Sequence, residues 1–473
     1  MQMSREKELV KNTFVLSLGK FLPKLASFIT LPILTACLTK AEYGTYDLIS
    51  TLVMMVIPIA TLQIQSAAFR FLIDCRGDKE RSSEIISNIF VVTIPISIIA
   101  SIFIQFFFPG LDMAIRIMIS LYLFLDTVHL AVAQITRGLG NNRAYSLAAI
   151  FVSATTVPIL VILIYKLQTG LLGVTISLVV SQLVGTLYLI KKTNLFTYID
   201  PSKVSGRQIK DMLAYSWPMV PNNLSTWVLK LSDRLVITGF LGVEANAVYA
   251  VANKIPNMLS IAQSIMVMAW QENASIAAKD TDADKYYTKM LDRTFNLMFG
   301  CTALLIAATP ILFRLLVRGD YAQAYYQMPV LILAMFFFVM SSYFGGIYIA
   351  HKKTVNVGVS TMVAAVINLA IDLAFVNIIG IWAGSVSTLT AYFVLYVYRM
   401  LNCQKFQKVE VNYKKQIVQI AIMILLLISC FMQKTVLNCV NIVLAIILFW
   451  AFNREIVEAA FASLLKIARK RRG

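Results

Sequence analysis

Lys20 and Lys24 sit four residues apart in the otherwise apolar run GKFLPKLASFITLPILTACL, residues 19–38. A charge held at bilayer depth costs a few kcal/mol or more, so an ionisable residue inside an apolar span points to a function. The spacing of four places both ammonium groups on one face of one helix. If that helix starts near residue 12, a rise of about 1.5 Å per residue puts Lys20 roughly 12 Å deep and Lys24 roughly 18 Å deep. Lys20 is within snorkelling reach of the near surface. Lys24 reaches neither surface and is expected to face protein or a wet cavity.

A second charged group lies in WVLKLSDRLVITGFLG, residues 227–242, where Lys230, Asp233 and Arg234 fall on neighbouring turns. Asp233 can pair with Lys230 three residues earlier, which leaves Arg234 as the expected unbalanced charge. Lys254 adds a cation in the next span, and Arg70 closes the second span near its inner end. Gln63, Gln65 and Ser66 give that second span a polar face. Asp126, with His129 one turn on, and Asp372 are intramembrane carboxylates and therefore candidate proton or sodium sites.

Within the spans the cations Lys20, Lys24, Lys230, Arg234 and Lys254 outnumber the anions Asp126, Asp233 and Asp372. A polar cavity with surplus positive charge suits an anion that must cross the bilayer. A phosphate or pyrophosphate head group can share several ammonium and guanidinium groups at once. No Ser-His-Asp, paired-carboxylate or P-loop pattern occurs in the loops. The six cysteines are scattered without metal or disulfide spacing, and the two histidines, at 129 and 351, lie far apart. No enzymatic role, metal or bound cofactor is expected; coupling to a proton or sodium gradient is the one small-ion requirement in view.

The elements that carry these residues follow from composition. The chain has 473 residues, is 59% apolar and only 14% charged, and has a mean hydropathy of +0.74. Apolar runs of about 18 or more residues recur from end to end, which predicts an all-α polytopic membrane protein. A transmembrane barrel would show short alternating segments instead. Fourteen spans are expected, near 12–38, 46–69, 85–108, 113–136, 144–165, 170–190, 213–239, 246–270, 290–315, 327–349, 355–377, 380–400, 414–432 and 436–452. The run ending Leu34-Thr35-Ala36-Cys37 resembles a lipoprotein cleavage box, but its length and two lysines predict an uncleaved first helix.

On a soluble protein, a net charge of +18 would suggest a nucleic-acid partner. Here the excess is segregated: 31 of the 42 Lys and Arg lie in the termini and alternate loops on one side. Six lie opposite, namely Lys40, Arg116, Lys166, Arg314, Arg318 and Lys434. The positive-inside rule then places both termini in the cytoplasm, and no nucleic-acid partner is expected. The outer loops are all short.

Residues 191–212 read as a basic interfacial connector between two halves. The repeat LTKAEYGTYDLI from Leu38 and LGVEANAVYAVA from Leu241 places Tyr46 and Tyr249 equivalently. Prolines 23 and 32 in span one correspond to 218 and 221 in span seven, where helix breaks can line a cavity. These features predict an N-lobe of helices 1–6 (1–190), the connector (191–212) and a C-lobe of helices 7–12 (213–402). Helices 13–14 (403–453) and a basic amphipathic cytoplasmic tail (454–473) on the anionic inner leaflet complete the chain.

Several of these stretches resemble one family. LSDRLVITGFLGVEANAVYAVANKIPNM (231–258) resembles the seventh-to-eighth helix signature of Wzx-type polysaccharide flippases. LTKAEYGTYDL (38–48), LQIQSAAFRFL (62–72) and QITRGLGNNRAYSLAAI (134–150) are similar to that family's first outer turn, second helix and fourth-to-fifth connection. The family belongs to the multidrug/oligosaccharidyl-lipid/polysaccharide (MOP) exporter superfamily, with the lipid II flippase MurJ and the MATE exporters.

The resemblance implies two six-helix lobes in a V and alternating access. The implied cargo is an undecaprenyl-pyrophosphate-linked oligosaccharide for O-antigen, capsule or exopolysaccharide synthesis. Membrane lipid, a polysaccharide polymerase and other assembly proteins are the implied partners. A cationic head-group site would map onto Lys20, Lys24, Arg70, Lys230, Arg234 and Lys254. Its polar lining would be Gln63, Gln65, Ser66 and Asp233. Three other activities stay open. A MurJ-like lipid II role is less favoured because lysines stand where MurJ-like proteins carry arginines. A MATE-type drug exporter would want an acidic cavity. A membrane glycosyl polymerase or ligase would need a sizeable outer loop.

Overall fold

The computed structural model describes residues 26–278, 280–455 and 457–458. Lys20, Lys24, Pro23 and the tail beyond residue 458 lie outside the described residues. Among the described residues the chain is helical, with no strand. Among the described residues ten helices are long and apolar enough to cross a membrane, as a multi-pass protein requires. The expected count of fourteen spans is larger: the first lies partly outside the described residues, and the seventh and eighth are interrupted. Packing divides the chain into two units, one ending at Ala247 and one beginning at Val248.

The first unit holds α1 (Ala26–Cys37) and α2 (Lys40–Thr61), then α3 (Ile64–Asp74), α4 (Lys79–Phe103) and α5 (Met113–Gly138). It continues with α6 (Asn142–Leu160), α7 (Gly170–Thr193), α8 (Gly206–Ser216) and α9 (Met219–Leu241). Helix α10 (Val243–Lys254) spans the division. The second unit holds α11 (Asn257–Ala277), α12 (Ala283–Leu316), α13 (Ala322–Ala350), α14 (Thr354–Ile379), α15 (Trp382–Cys403), α16 (Tyr413–Phe431) and α17 (Thr435–Phe452).

Local chemistry sets the helix starts. Thr39 and Glu42 form a reciprocal capping box at α2. Glu42 also accepts the Leu171 amide at 3.2 Å, tying the starts of α2 and α7 together. Gly170 takes φ +58° there, and a Cβ on it would fall 2.2 Å from Glu42 Oε1. Asp78, Asn141, Ser205 and Asn412 cap α4, α6, α8 and α16 through side-chain oxygens. The repeat seen in sequence has a structural counterpart, since Tyr46 and Tyr249 occupy the same position in α2 and α10, the helices that follow the two turns.

Three expected spans are broken. The second is split between α2 and α3, where Leu62 and Gln63 both adopt left-handed backbone, φ 47° and 59°. This conformation costs an L-residue about 1 kcal/mol or more. The seventh is interrupted between α8 and α9 at Trp217–Pro218, as its proline foreshadows. The eighth breaks between α10 and α11 at Ile255–Pro256.

The connector is folded onto α4 as well as basic. Asn88, fully buried, donates to Gln208 Oε1 at 2.7 Å and to the Lys203 carbonyl at 3.4 Å, and accepts the Ser205 amide at 2.8 Å. Ser83 donates to the Tyr198 carbonyl at 2.7 Å, and Ser87 accepts the Asp200 amide at 2.8 Å.

Helix α13 is the buried axis of the second unit. Trp270 stacks on Tyr343 at 4.5 Å and donates to its carbonyl at 2.8 Å. Gly346 allows the approach, because a Cβ there would meet the indole at 2.4 Å. Small residues that let helices close on one another are the usual means of packing in lipid, where apolar burial between helices gains little.

Candidate functional site

The polar interior of the first unit is built around two features. One is the α2–α3 break. Thr61 donates to the Ile57 carbonyl at 2.8 Å and accepts the Gln63 amide at 3.2 Å, so its hydroxyl bridges the discontinuity. Ser66 donates to Gln63 Oε1 at 3.2 Å. Gln63 and Gln65 are buried, and Gln65 Oε1 has no hydrogen-bond partner among the described residues. Non-helical backbone and unsatisfied amides at membrane depth belong where protein or water can supply partners. The three residues expected to form a polar face therefore lie together. Arg70, further along the same helix, is half-exposed and pairs with Asp74 at 2.6 Å.

The other feature joins the ends of α2, α9 and α10 that flank the turns before Lys40 and after Leu241. Arg234 Nη1 lies 3.1 Å from Asp47 Oδ1 and 3.3 Å from Thr51 Oγ1. Asn246 Nδ2 donates to Asp47 Oδ2 at 3.4 Å and to the Gly44 carbonyl at 3.1 Å. Trp227 Nε1 donates to the Thr51 carbonyl at 3.1 Å. Gly44 makes the approach possible, since a Cβ on it would fall 1.9 Å from the Val243 carbonyl oxygen.

This corrects one expectation. Arg234 is not an unbalanced charge, because buried Asp47 neutralises it across 187 residues of chain. Asp47 was missed as an interior anion because it sits near the outer edge of its span. The available signal was the small and polar stripe Gly44, Asp47, Thr51, which falls on one helical face.

The other expected residues sit on several helices. Asp233 is buried and Lys230 exposed, although both are on α9. Lys254, the last residue of α10, is half-buried. Asp126 on α5 accepts a 2.6 Å hydrogen bond from Gln182 on α7, and His129 contacts Thr186 at 3.1 Å. Asp372 on α14 is fully buried and accepts from Ser387 on α15 at 2.8 Å, while Asn368 donates to the same hydroxyl at 3.1 Å. No group of three or more potential metal-ligating side chains occurs among the described residues.

Arg399, at the inner end of its expected span, was also missed. It is buried on α15, with Nε donating to Ser360 Oγ at 2.9 Å and Nη2 to Thr361 Oγ1 at 2.9 Å and Val357 O at 3.2 Å. Nη1 donates to Ser341 O at 3.1 Å and lies against Gly345. The guanidinium thus fastens α13, α14 and α15 together with neutral acceptors.

Comparison with solved structures places this geometry on a known fold. An inward-facing multidrug-resistance MATE family transporter of the MOP superfamily superposes with a TM-score of 0.69 at 16% identity, over 82% of this chain and 95% of that one. The lipid II flippase MurJ, in an inward closed conformation, gives 0.69 at 13% identity over 95% and 100%. A MOP superfamily transporter from Pyrococcus furiosus, described as having reversed binding-pocket polarity, gives 0.58 at 15% over 84% and 95%. Comparison with curated protein sequences gives no match. The model of one family, described as polysaccharide biosynthesis protein, matches residues 9–271, more than half of the sequence. A multi-pass chain with a MATE- and MurJ-like fold and this match belongs to the polysaccharide biosynthesis protein family.

Proposed function

We propose that the protein is a flippase for polyprenyl-pyrophosphate-linked oligosaccharide repeat units in a bacterial plasma membrane, with both termini cytoplasmic. Membership of a polysaccharide biosynthesis family on a transporter fold is the observation that carries this reading. In it, the pyrophosphate and sugars occupy a polar cleft between two six-helix lobes, and the polyprenyl tail stays in lipid. Lys20, Lys24 and Arg70 meet the head group from the inner side. Lys230, Arg234 and Lys254 hold it nearer the outer side as the lobes alternate. In this scheme Arg234 exchanges Asp47 for a phosphoryl oxygen, a trade between two charge-assisted contacts of similar geometry. Gln63, Gln65 and Ser66 offer hydroxyl and amide partners to sugar.

Coupling to a proton or sodium gradient through Asp126 or Asp372 is part of the proposal. Reconstitution into vesicles with labelled cargo tests both parts. Lys24→Ala at normal abundance is expected to slow flipping, and unchanged flipping removes Lys24 from the head-group role. Flipping that persists unaltered when both gradients are collapsed removes the ion coupling. A lipid II cargo is the second reading, favoured by the fold match to MurJ over 95% of the chain.

A further inference from the structure

The last turns of α5 carry an arginine that the transport reading does not use. Between residues 131 and 138, Ala131, Val132, Ala133, Ile135, Thr136 and Gly138 are all buried. Gln134 and Arg137, one turn apart, are the two side chains of that stretch that reach the surface. A helix face turned to acyl chains is apolar, so this open face is turned to water or to a polar ligand.

The Arg137 guanidinium is seated on aromatic rings. Its Cζ lies 4.2 Å from the centre of the Phe69 ring on α3 and 5.9 Å from that of Tyr145 on α6. Gly138 lets α3 and α5 come this close, since a Cβ on it would fall 2.7 Å from Leu72 Cβ. A guanidinium over a ring face keeps its N–H edge available. Among the described residues no hydrogen bond or ion pair engages that edge, the Gln134 amide or the Tyr145 hydroxyl, and none of these groups is sealed from the surface. Asp74, the carboxylate at the end of α3, is taken by Arg70 at 2.6 Å. From the turn after α3, Arg76 donates to the Gly138 carbonyl at 2.7 Å and the Arg137 carbonyl at 3.1 Å, which adds a second cation where α5 ends.

We propose that Arg137 receives the pyrophosphoryl group of the polyprenyl-linked cargo on the inner side, with Gln134 and Tyr145 as neutral donors to its oxygens. Arginine suits the role, because its planar fork bonds phosphate oxygens in pairs. A helix C-terminus and the inner-side preference for basic residues both account for a cation at this end. Neither accounts for its aromatic seat, for the lack of an acid partner or for an open glutamine one turn deeper. The inference rests on the transport reading and on the membrane orientation given with it, and adds a fork-shaped contact to the lysines and Arg70 already assigned to the head group.

The test uses the full-length protein, purified in detergent and stripped of lipid. Undecaprenyl pyrophosphate, phosphatidylglycerol or undecaprenol is titrated in, and bound lipid is read by native mass spectrometry. Wild type is expected to retain undecaprenyl pyrophosphate about tenfold more tightly than Arg137→Gln, as loss of a charge-assisted contact implies. Arg137→Lys is expected to recover only part of the difference, and Arg81→Gln, an exposed charge paired with Asp78, is expected to lose none. Undecaprenol should bind wild type and Arg137→Gln alike. Equal retention of undecaprenyl pyrophosphate by wild type and Arg137→Gln overturns the site, and so does an equal loss in Arg81→Gln or a matching loss of undecaprenol. Phosphatidylglycerol held as tightly as undecaprenyl pyrophosphate, and lost to the same degree in Arg137→Gln, overturns the cargo assignment in favour of a bilayer phospholipid. Should Arg137→Gln fail to fold, Arg137→Lys carries the test, and retention equal to wild type contradicts recognition by the fork. Flipping is followed separately in vesicles: wild type that binds the pyrophosphate through Arg137 but moves no labelled cargo sinks the transport reading and leaves the site standing.

Discussion

Neutralising Asp47 should destabilise the protein far more than neutralising any surface charge. The Asp47 and Arg234 side chains are 4% and 13% exposed, with the charged atoms 3.1 Å apart. Removing one partner of such a pair leaves the other buried without its counter-charge, at a cost of about 3–5 kcal/mol. Asp47→Asn keeps the shape and one acceptor oxygen, so the lower end, about 3 kcal/mol, is expected. Asp47→Ala also strands the Asn246 amide and should cost about 1 kcal/mol more. The informative quantity is the coupling in the cycle Asp47→Asn, Arg234→Gln and the double variant, measured by reversible unfolding in mixed micelles. A coupling of about 2 kcal/mol or more is expected, since the double variant removes both charges. Additivity within about 0.5 kcal/mol would refute the reasoning, because it would mean that neither charge feels the other. Arg70→Gln is the contrast: its pair with Asp74 is half-exposed, and a change of about 1 kcal/mol or less is expected.

Three further outcomes follow from local geometry. Gly44→Ala should sharply reduce the yield of folded protein, because its Cβ meets the Val243 carbonyl, whereas Gly239→Ala, with open space around it, should be tolerated on size-exclusion profiles. Asn88→Ala should free the connector, seen as faster proteolysis between residues 194 and 205, since Asn88 holds that segment at three points. The Ser202 hydroxyl and amide hold the exposed Asp200 carboxyl below the usual carboxylate range. A folded-state value that is depressed means the contact contributes fully above the unfolded value, about 4, and is lost as pH falls through the folded one. Connector proteolysis should therefore rise only in that acid window, and Asp200→Asn should flatten the rise.

Much of the fold was legible because membrane spans are written in composition. The expected segment 113–136 became α5 and 355–377 became α14, each within a few residues, since apolar runs of that length have one favourable fate in lipid. Breaks were legible where proline announced them, as at Pro218, and not at Leu62–Gln63, where two ordinary residues take left-handed backbone without a glycine to signal it. The site was less legible because charge in sequence carries no partner. Arg234 looked unbalanced until α2 brought Asp47 to it, and nothing in the sequence directed Arg399 to Ser341, Ser360 and Thr361. Pairings this distant along the chain depend on which helices pack together, and hydropathy is silent on that.

The central claim is the cargo, and the lipid-linked sugar pool of the native host tests it most directly. Depleting the protein, in a strain without a second flippase, and measuring that pool by mass spectrometry should show build-up of a complete repeat unit on a polyprenyl pyrophosphate. Build-up of lipid II instead would contradict the oligosaccharide assignment, and an unchanged pool would contradict the flippase reading itself.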